Sequence, residues 1–324
     1  MTRAAGERLI GELASGQFVS GESIAERLGI TRAAVWKQVR VLRARGVPVD
    51  AVRGRGYRIH GGMPLLNREQ IFAGLHLPVR TRLRSLEVAW ELDSTNSRLL
   101  QQSTAGPAAC VAEFQSAGRG RRGRTWYSPF GSAVCVSLAY PFLHTPAGFG
   151  GIGLVAGVAV CDTLAGFGYP QVRLKWPNDL VVDDAKLGGL LVESRTEAGG
   201  STRAVAGIGI NWRLPSEANE VIDQRWAELA SLPAKLPPRD SLIAGILNAL
   251  MAAFDEFAHK GFTPFRARWR AYDALAGKQV RVRLDHEAVD GTAAGIDDDG
   301  ALRVATADGI RRFTAGEVSV RARA

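Results

Sequence analysis

The chain reads as an α+β protein of three domains, because its hydrophobic period changes twice. Residues 1–62 show helical spacing followed by one hairpin pattern, residues 63–275 mix strand-like and helical runs, and residues 276–324 are strand-like throughout. A length of 324 residues leaves room for two or three separate cores. The composition, 46% hydrophobic and 23% charged, excludes a disordered or fibrous chain. The three cysteines, Cys110, Cys135 and Cys161, are odd in number, far apart and set among apolar residues, which excludes a disulfide framework and a Cys-rich zinc site. No direct protein metal cluster is expected. Charges in the first ten residues break any secretory segment, and no apolar run is expected to approach the roughly 18–20 residues that crossing a bilayer needs. The expectation is a cytoplasmic chain with no membrane partner.

Residues 6–14 place Leu9, Ile10 and Leu13 at helical spacing, and Ser20 opens a second helix through Ile24, Ala25 and Leu28. Gly29-Ile30-Thr31 breaks and restarts the chain. Thr31 is an N-cap for a third helix, 31–45, with Ala34, Val35, Val39 and Leu42 on one stripe. Gly46 stops it, and 47–59 alternates around Arg53-Gly54-Arg55-Gly56, a hairpin wing with an arginine tip. The pattern is a winged helix-turn-helix. Small units of this kind also mediate protein contacts. Charge separates the two uses: residues 1–60 hold eleven Lys/Arg against five Asp/Glu, so a net +6 of the chain's +9 lies here. That clustering favours DNA, with Arg32, Lys37, Gln38 and Arg40 on the reading helix and Arg53 and Arg55 on the wing as candidate contacts.

In the central unit, Gly118-Arg-Gly-Arg-Arg-Gly-Arg124 satisfies G-x-G-x-x-G and nearly satisfies the P-loop pattern. Both matches fail on context, because those motifs need a helix to start at the last glycine and here Thr125-Trp-Tyr-Ser-Pro leads into a β-rich run. What remains is a loop with four arginines in six residues, expected to be mobile until an anion neutralises it. Downstream, Lys175-Trp-Pro-Asn-Asp179 and Lys186-Leu-Gly-Gly189 set a cation and a carboxylate on adjoining strands. The strand 204–210 carries Gly207 and Gly209, whose missing side chains leave room for a flat ligand, and ends at Asn211. Asp93-Ser94-Thr95-Asn96 either caps a helix near Thr95 or partners a polar ligand. In the last part, 240–260 is an amphipathic helix that 264–272 continues until Gly277 ends it. Five short strands then follow: 279–284, 288–296, 301–306, 310–313 and 318–321.

With these residues in view, the chain resembles the bifunctional biotin–protein ligase and biotin-operon repressor family, in the long class with a winged helix-turn-helix. The resemblance runs from near residue 6 to the C-terminus and aligns least over 214–238. It implies a central mixed sheet like that of class II aminoacyl-tRNA synthetases and lipoate ligases, and a C-terminal SH3-like barrel. It also implies a two-step reaction, in which biotin and ATP with Mg²⁺ give biotinyl-5′-AMP, and a lysine of the biotin carboxyl carrier protein of acetyl-CoA carboxylase then takes the biotin. Lys186, Arg121 and Asp179 would be catalytic. Ser94, Thr95, Asn96, Gln115, Arg119, Gly120, Arg121, Lys186, Gly207 and Gly209 would hold biotin. Arg119, Arg121, Arg122, Trp126, Asn178, Lys186, Asn211 and Arg321 would hold the adenylate, with Glu317 facing the same site. Adenylate binding would promote a homodimer, through a sheet edge, that binds operator DNA. Two other readings stand beside this one: a ligand-sensing transcription factor without ligase activity, and a lipoate ligase, which the arginine loop and the winged helix argue against.

Overall fold

The computed structural model describes residues 3–59, 61–102, 105–196, 201–284, 287–314 and 319–322. The first helices are α1 (Arg3–Leu13), α2 (Gly21–Leu28) and α3 (Arg32–Ala44), followed by the hairpin β1 (Val49–Val52) and β2 (Gly56–Ile59). Both expected caps form: the Ser20 hydroxyl accepts from the Ser23 N–H and the Thr31 hydroxyl from the Ala34 N–H, each at 3.1 Å. Gly29, at φ +66°, closes α2 with its N–H turned back to Ala25 and Glu26 carbonyls. Leu9, Ile10, Leu13, Ile24, Val35, Val39 and Leu42 fill the core between the helices.

That core is not closed on itself. Met63, Trp90 and Phe130 from the central unit complete it, with the Trp90 and Phe130 rings 4.4 Å apart. Arg45 pairs with Glu91 at 2.9 Å on the same boundary. The DNA-binding type of unit is thus packed onto the end of the central sheet, not strung on a linker.

The central elements are α4 (Arg68–Ala73), α5 (Leu77–Arg82), β3 (Ser85–Leu92), α6 (Thr95–Gln101), β4 (Ala108–Gln115), β5 (Ala133–Phe142), α7 (Ile152–Gly166), β6 (Arg173–Lys175), β7 (Asp179–Val182), β8 (Ala185–Thr196), β9 (Thr202–Asn211), α8 (Ala218–Val221), α9 (Arg239–Lys260) and α10 (Thr263–Tyr272). The sheet order is β3-β4-β5-β9-β8-β7-β6, parallel only between β3 and β4, where α6 makes the crossover. Alternate residues of β5 and β9, such as Val134, Val136, Leu138, Ala206, Ile208 and Ile210, face α7 and α9 in one large core.

Two expectations are corrected here. The segments Phe149–Gly166 and Arg239–Lys260 are long and apolar enough to cross a membrane by length and composition, contrary to the sequence expectation. Their apolar character has another cause, since α7 and α9 lie against each other and the sheet, with most of each window buried. The second correction is that α9 and α10 are separate helices. Gly261 at φ +63° breaks them where an added Cβ would lie 2.9 Å from the Ala147 carbonyl oxygen, and α10 ends at Tyr272, before Gly277.

The C-terminal strands β10 (Gln279–Arg283), β11 (Ala288–Ile296), β12 (Leu302–Thr306), β13 (Gly309–Phe313) and β14 (Ser319–Ala322) form an antiparallel sheet in the order β13-β12-β11-β10-β14. The five strands follow one another as the expected small β-domain, with β11 at the centre of the order and, among the described residues, no ladder between β13 and β14. It is locked to the central unit by the Trp176 indole, which donates to the Gly300 carbonyl at 3.0 Å.

A buried ion pair fixes the chain between the first two units. Glu113 and Arg239, 4% and 2% exposed at their side chains, meet at 2.7 Å. Glu113 also accepts from the Leu66 N–H, and Arg239 donates to the Pro64 carbonyl. Removing one partner leaves the other charge uncompensated in the core. Arg239→Ala is therefore expected to cost about 3–5 kcal/mol in urea unfolding; a loss below about 1 kcal/mol, the range of an exposed pair, would contradict this role.

Candidate active site

The sheet face away from α7 and α9 has a thin floor. Ser137 pairs with Gly207 and Cys135 with Gly209, so small side chains alternate across β5 and β9. The space above the two glycines is taken by the protein's own side chains. A Cβ on Gly207 would lie 2.2 Å from Asn96 Oδ1, and one on Gly209 would lie 2.7 Å from the Trp126 ring. Gly207 and Gly209 thus seat Asn96 and Trp126.

The 93–96 motif forms the expected helix cap. Ser94 caps α6, and Ser94, Thr95 and Asn96 are all buried. Gln115, at the end of β4, accepts from the Thr95 N–H at 2.8 Å and lies 3.1 Å from the Thr95 hydroxyl. The Ser137 hydroxyl stands 2.7 Å from Thr95 Oγ1 and 2.6 Å from Asn96 Oδ1. Asn96 Nδ2 donates to the Leu191 carbonyl at 3.0 Å and to Glu193 Oε2 at 2.8 Å. One continuous polar chain thus runs from Gln115 to Glu193. Ser137 and Glu193 escaped the sequence reading because each looks like an ordinary strand residue until the register is known.

The arginine loop is a closed hairpin. Gly120 N–H donates to the Arg124 carbonyl at 2.7 Å, Trp126 N–H donates to Gly118 at 2.8 Å, and Arg119 bridges to Thr125. Residues 121–123 make one 3₁₀ turn, with Arg122 at φ +57° and Gly123 at +71°, and no α-helix follows, as the sequence argument required. Repulsion among the guanidiniums is offset by separate acceptors. Arg119 donates to Ser97 Oγ at 3.0 Å and approaches Glu193 at 3.4 Å, while Arg121 reaches Asn178 Oδ1 at 3.4 Å. Burial pulls the Arg121 pKa below its ordinary value; the nearby Asp179 carboxylate opposes this and Arg122 and Arg124 add to it.

Lys186 and Asp179 form an ion pair at 2.7 Å on neighbouring strands, and Lys186 Nζ lies 5.8 Å from the Trp126 ring centroid. Asn178 Nδ2 is tied to the Leu190 carbonyl, and Asn211 Nδ2 to Ala227 and Lys186 carbonyls. These two amides brace the site through their nitrogens. An open groove of about 590 Å³, lined by Ala185 and by residues from Asn219 to Trp226, lies beside Lys186, whose backbone pairs with Arg225 and Ala227. This segment belongs to the 214–238 stretch that aligned least. Arg321 stands across from Arg281 in the β10–β14 ladder, but its side chain and all of Glu317 lie outside the described residues. Among the described residues no three His, Cys, Asp or Glu side chains gather as metal ligands.

On the helix-turn-helix, Arg32, Lys37 and Arg40 are exposed on α3, whereas Gln38 is half-buried with its Oε1 shielded from solvent, off that face. Trp36, not anticipated from sequence, is 54% exposed there with Arg40 stacked 5.0 Å from its ring centroid. On the wing Arg53 and Arg55 are exposed, and Phe18 carries Arg55 and Arg58 at 4.2 and 4.5 Å.

A cation-ringed cleft on a mixed sheet, joined to a winged helix-turn-helix, defines the class: an enzyme that handles anions, fused to a nucleic-acid-binding type of unit. Residues 88–211 match the Biotin/lipoate A/B protein ligase family, 276–321 the biotin protein ligase C-terminal domain and 7–58 an HTH domain. The chain is 37% identical to the bifunctional ligase/repressor BirA of Escherichia coli over 97% of its length and 96% of that protein, and 31% identical to the one from Bacillus subtilis over 95% of each. A solved biotin protein ligase from Aquifex aeolicus, in complex with biotin and ATP, superposes with TM-score 0.64 at 27% identity, covering 74% of this chain and all of that one. The chain belongs to the bifunctional biotin–protein ligase and repressor family.

The Trp126 seat gives a direct test. Gly209→Ala forces its new methyl against the indole and is expected to cost about 1–3 kcal/mol in urea unfolding. In a Trp126→Ala background the same substitution should cost much less, since the two sites share one contact; equal costs in both backgrounds would show that the ring is not seated there.

Proposed function

We propose that the chain joins biotin to ATP as biotinyl-5′-AMP, passes the biotinyl group to a lysine of a biotin carboxyl carrier protein, and represses an operator when the adenylate is bound. The observation that supports the reading best is that Arg121 and Lys186 both neighbour the Asp179 carboxylate, while Arg119 from the same loop reaches Glu193 farther along β8. In the first step a biotin carboxylate oxygen attacks the α-phosphorus and the bond to pyrophosphate breaks. Two anions must approach, so the guanidiniums and Lys186 screen the charge that develops. The α-phosphate competes with Asp179 for Lys186. Once displaced, the Asp179 carboxylate is free to take a proton from the incoming lysine amine, which attacks the acyl carbon and releases AMP. Magnesium accompanies the nucleotide's phosphates, since one or two carboxylates and substrate oxygens are its usual ligands.

Gln115, Thr95 and Ser94 are the partners for the ureido ring, with Asn96 behind them and the Gly120 backbone at the rim. Trp126, Asn178, Asn211, Arg122 and the groove beside Lys186 serve the adenylate, and Arg321 approaches it from the C-terminal sheet. Domain limits of 1–62, 63–275 and 276–324 suit this division of labour. For dimerisation, β7 pairs with β8 only as far as Gly189, so Leu190 to Thr196 has β9 on one side and no second strand among the described residues. Such an edge suits pairing with a second copy. On DNA, Arg32, Lys37, Arg40, Arg53 and Arg55 meet phosphates or bases, and Trp36 adds an apolar contact. A carrier protein and an operator are cytoplasmic partners.

Incubation with labelled biotin, ATP and a carrier domain should transfer label only when ATP is present, and Lys186→Ala should slow it by about 10²–10³-fold. No transfer would favour a ligand sensor, and preference for lipoate a lipoate ligase. Footprinting should show operator protection with biotin plus Mg-ATP and little with biotin alone; equal protection would remove the adenylate from the repressor role.

A further inference from the structure

A second cluster of arginines lies outside the active-site cleft, between α10 and the C-terminal sheet. A cavity of about 50 Å³ is lined there by Arg266, Trp269, Arg270, Gly295 and Arg303. It sits on a β-bulge: β11 pairs with β12 at Ala293↔Val304 and next at Ile296↔Leu302, so Ala294 and Gly295 together stand opposite Arg303. Two buried donors on this lining have no hydrogen-bond partner among the described residues, the indole N–H of Trp269, which is 1% exposed, and Nε of Arg266. Arg266 pairs through its other end with Asp298 at 2.5 Å. Among the described residues no carboxylate answers Arg270 or Arg303, and the neighbour of Arg303 across the ladder is Arg312, itself engaged by Asp297 and Asp299.

We infer that this junction is a binding site for a tetrahedral oxyanion of the phosphate class, held by Arg266, Arg270, Arg303 and the Trp269 indole N–H. Three guanidiniums with a single carboxylate between them repel one another, and an anion removes that cost. Every unmatched side-chain group here is a donor. A phosphate dianion presents four oxygens with at most one proton, a closer match to a lining of side-chain donors than a water with two protons. One water needs about 10–15 Å³, so the cavity takes a group of several oxygens yet excludes a nucleoside. Guanidinium forks approaching from a helix and from a strand suit four oxygens better than the two of a carboxylate.

The test uses the full chain with its cleft saturated by a non-hydrolysable biotinyl-adenylate analogue that lacks phosphorus, at constant ionic strength in chloride. Inorganic phosphate should then show protein-dependent ³¹P line broadening, and Arg270→Gln with Arg303→Gln should weaken its binding at least about tenfold. Acetate should not compete. Glycerol phosphate run alongside separates the sources: equal binding identifies the phosphate end of an ester as an acceptable ligand, and weaker binding identifies the free ion. No broadening, broadening unchanged in the double variant, or displacement by acetate would overturn the site. A crystal of the unaltered chain soaked in selenate supplies a readout independent of the variants, with anomalous density expected between Trp269 and Arg303 and its absence there counting against the assignment.

Discussion

Repulsion among like charges is the constraint on which the rest of this site depends. Four guanidiniums in six residues, with an ammonium across the cleft, are unfavourable neighbours. Two unit charges about 6 Å apart at an effective dielectric of ~20 repel by roughly 3 kcal/mol. The fold meets this by supplying acceptors from three different elements: Ser97 on α6, Glu193 far along β8, and Asn178 with Asp179 at the start of β7. The same arrangement explains why the loop is a hairpin with its own backbone bonds, since a backbone closed by Gly120 and Arg124 lets the side chains point to separate partners.

The acceptors are in place only because the sheet brings them there. Gly207 gives Asn96 room to cross from α6 to β8, and Asn96 joins Glu193 to Ser137 and so to Thr95 and Gln115. Gly209 does the same for Trp126, which then borders Lys186. The two ends of the cleft are therefore coupled by side chains whose positions depend on missing methyl groups. Beneath them the Glu113–Arg239 pair, two residues before Gln115 on the same strand, anchors the chain that leads to the helix-turn-helix. The unit that meets DNA and the strand that carries Gln115 share that anchor and the Trp90–Phe130 contact.

Features written in local chemistry were legible from the amino acids alone. The Ser20 and Thr31 caps, the wing turn, the rejection of a phosphate-binding helix after Gly123 and the five C-terminal strands all follow from residues close in sequence. The parts that were not legible depend on partners far along the chain. Glu193 lies 74 residues from Arg119, and nothing in the polar end of β8 singles it out. The side chains that pack over Gly207 and Gly209, Asn96 and Trp126, come from far along the chain and could not be read from the glycines themselves. Exposure misled in the same way: Gln38 and Trp36 are close in sequence on one helix, and only its packing decides which of them faces outward. The apolar runs of α7 and α9 reflect a sheet that buries them, a fact that length and hydropathy do not contain.

The most direct test of the charge argument is a crystal structure of the chain with a non-hydrolysable biotinyl-adenylate analogue. The phosphate, or its isostere, is expected within about 2.7–2.9 Å of a guanidinium of Arg119 or Arg121 and of Lys186 Nζ, with the Lys186–Asp179 pair opened. A ligand seated elsewhere, with Arg119 still on Glu193 and Lys186 still on Asp179, would contradict it.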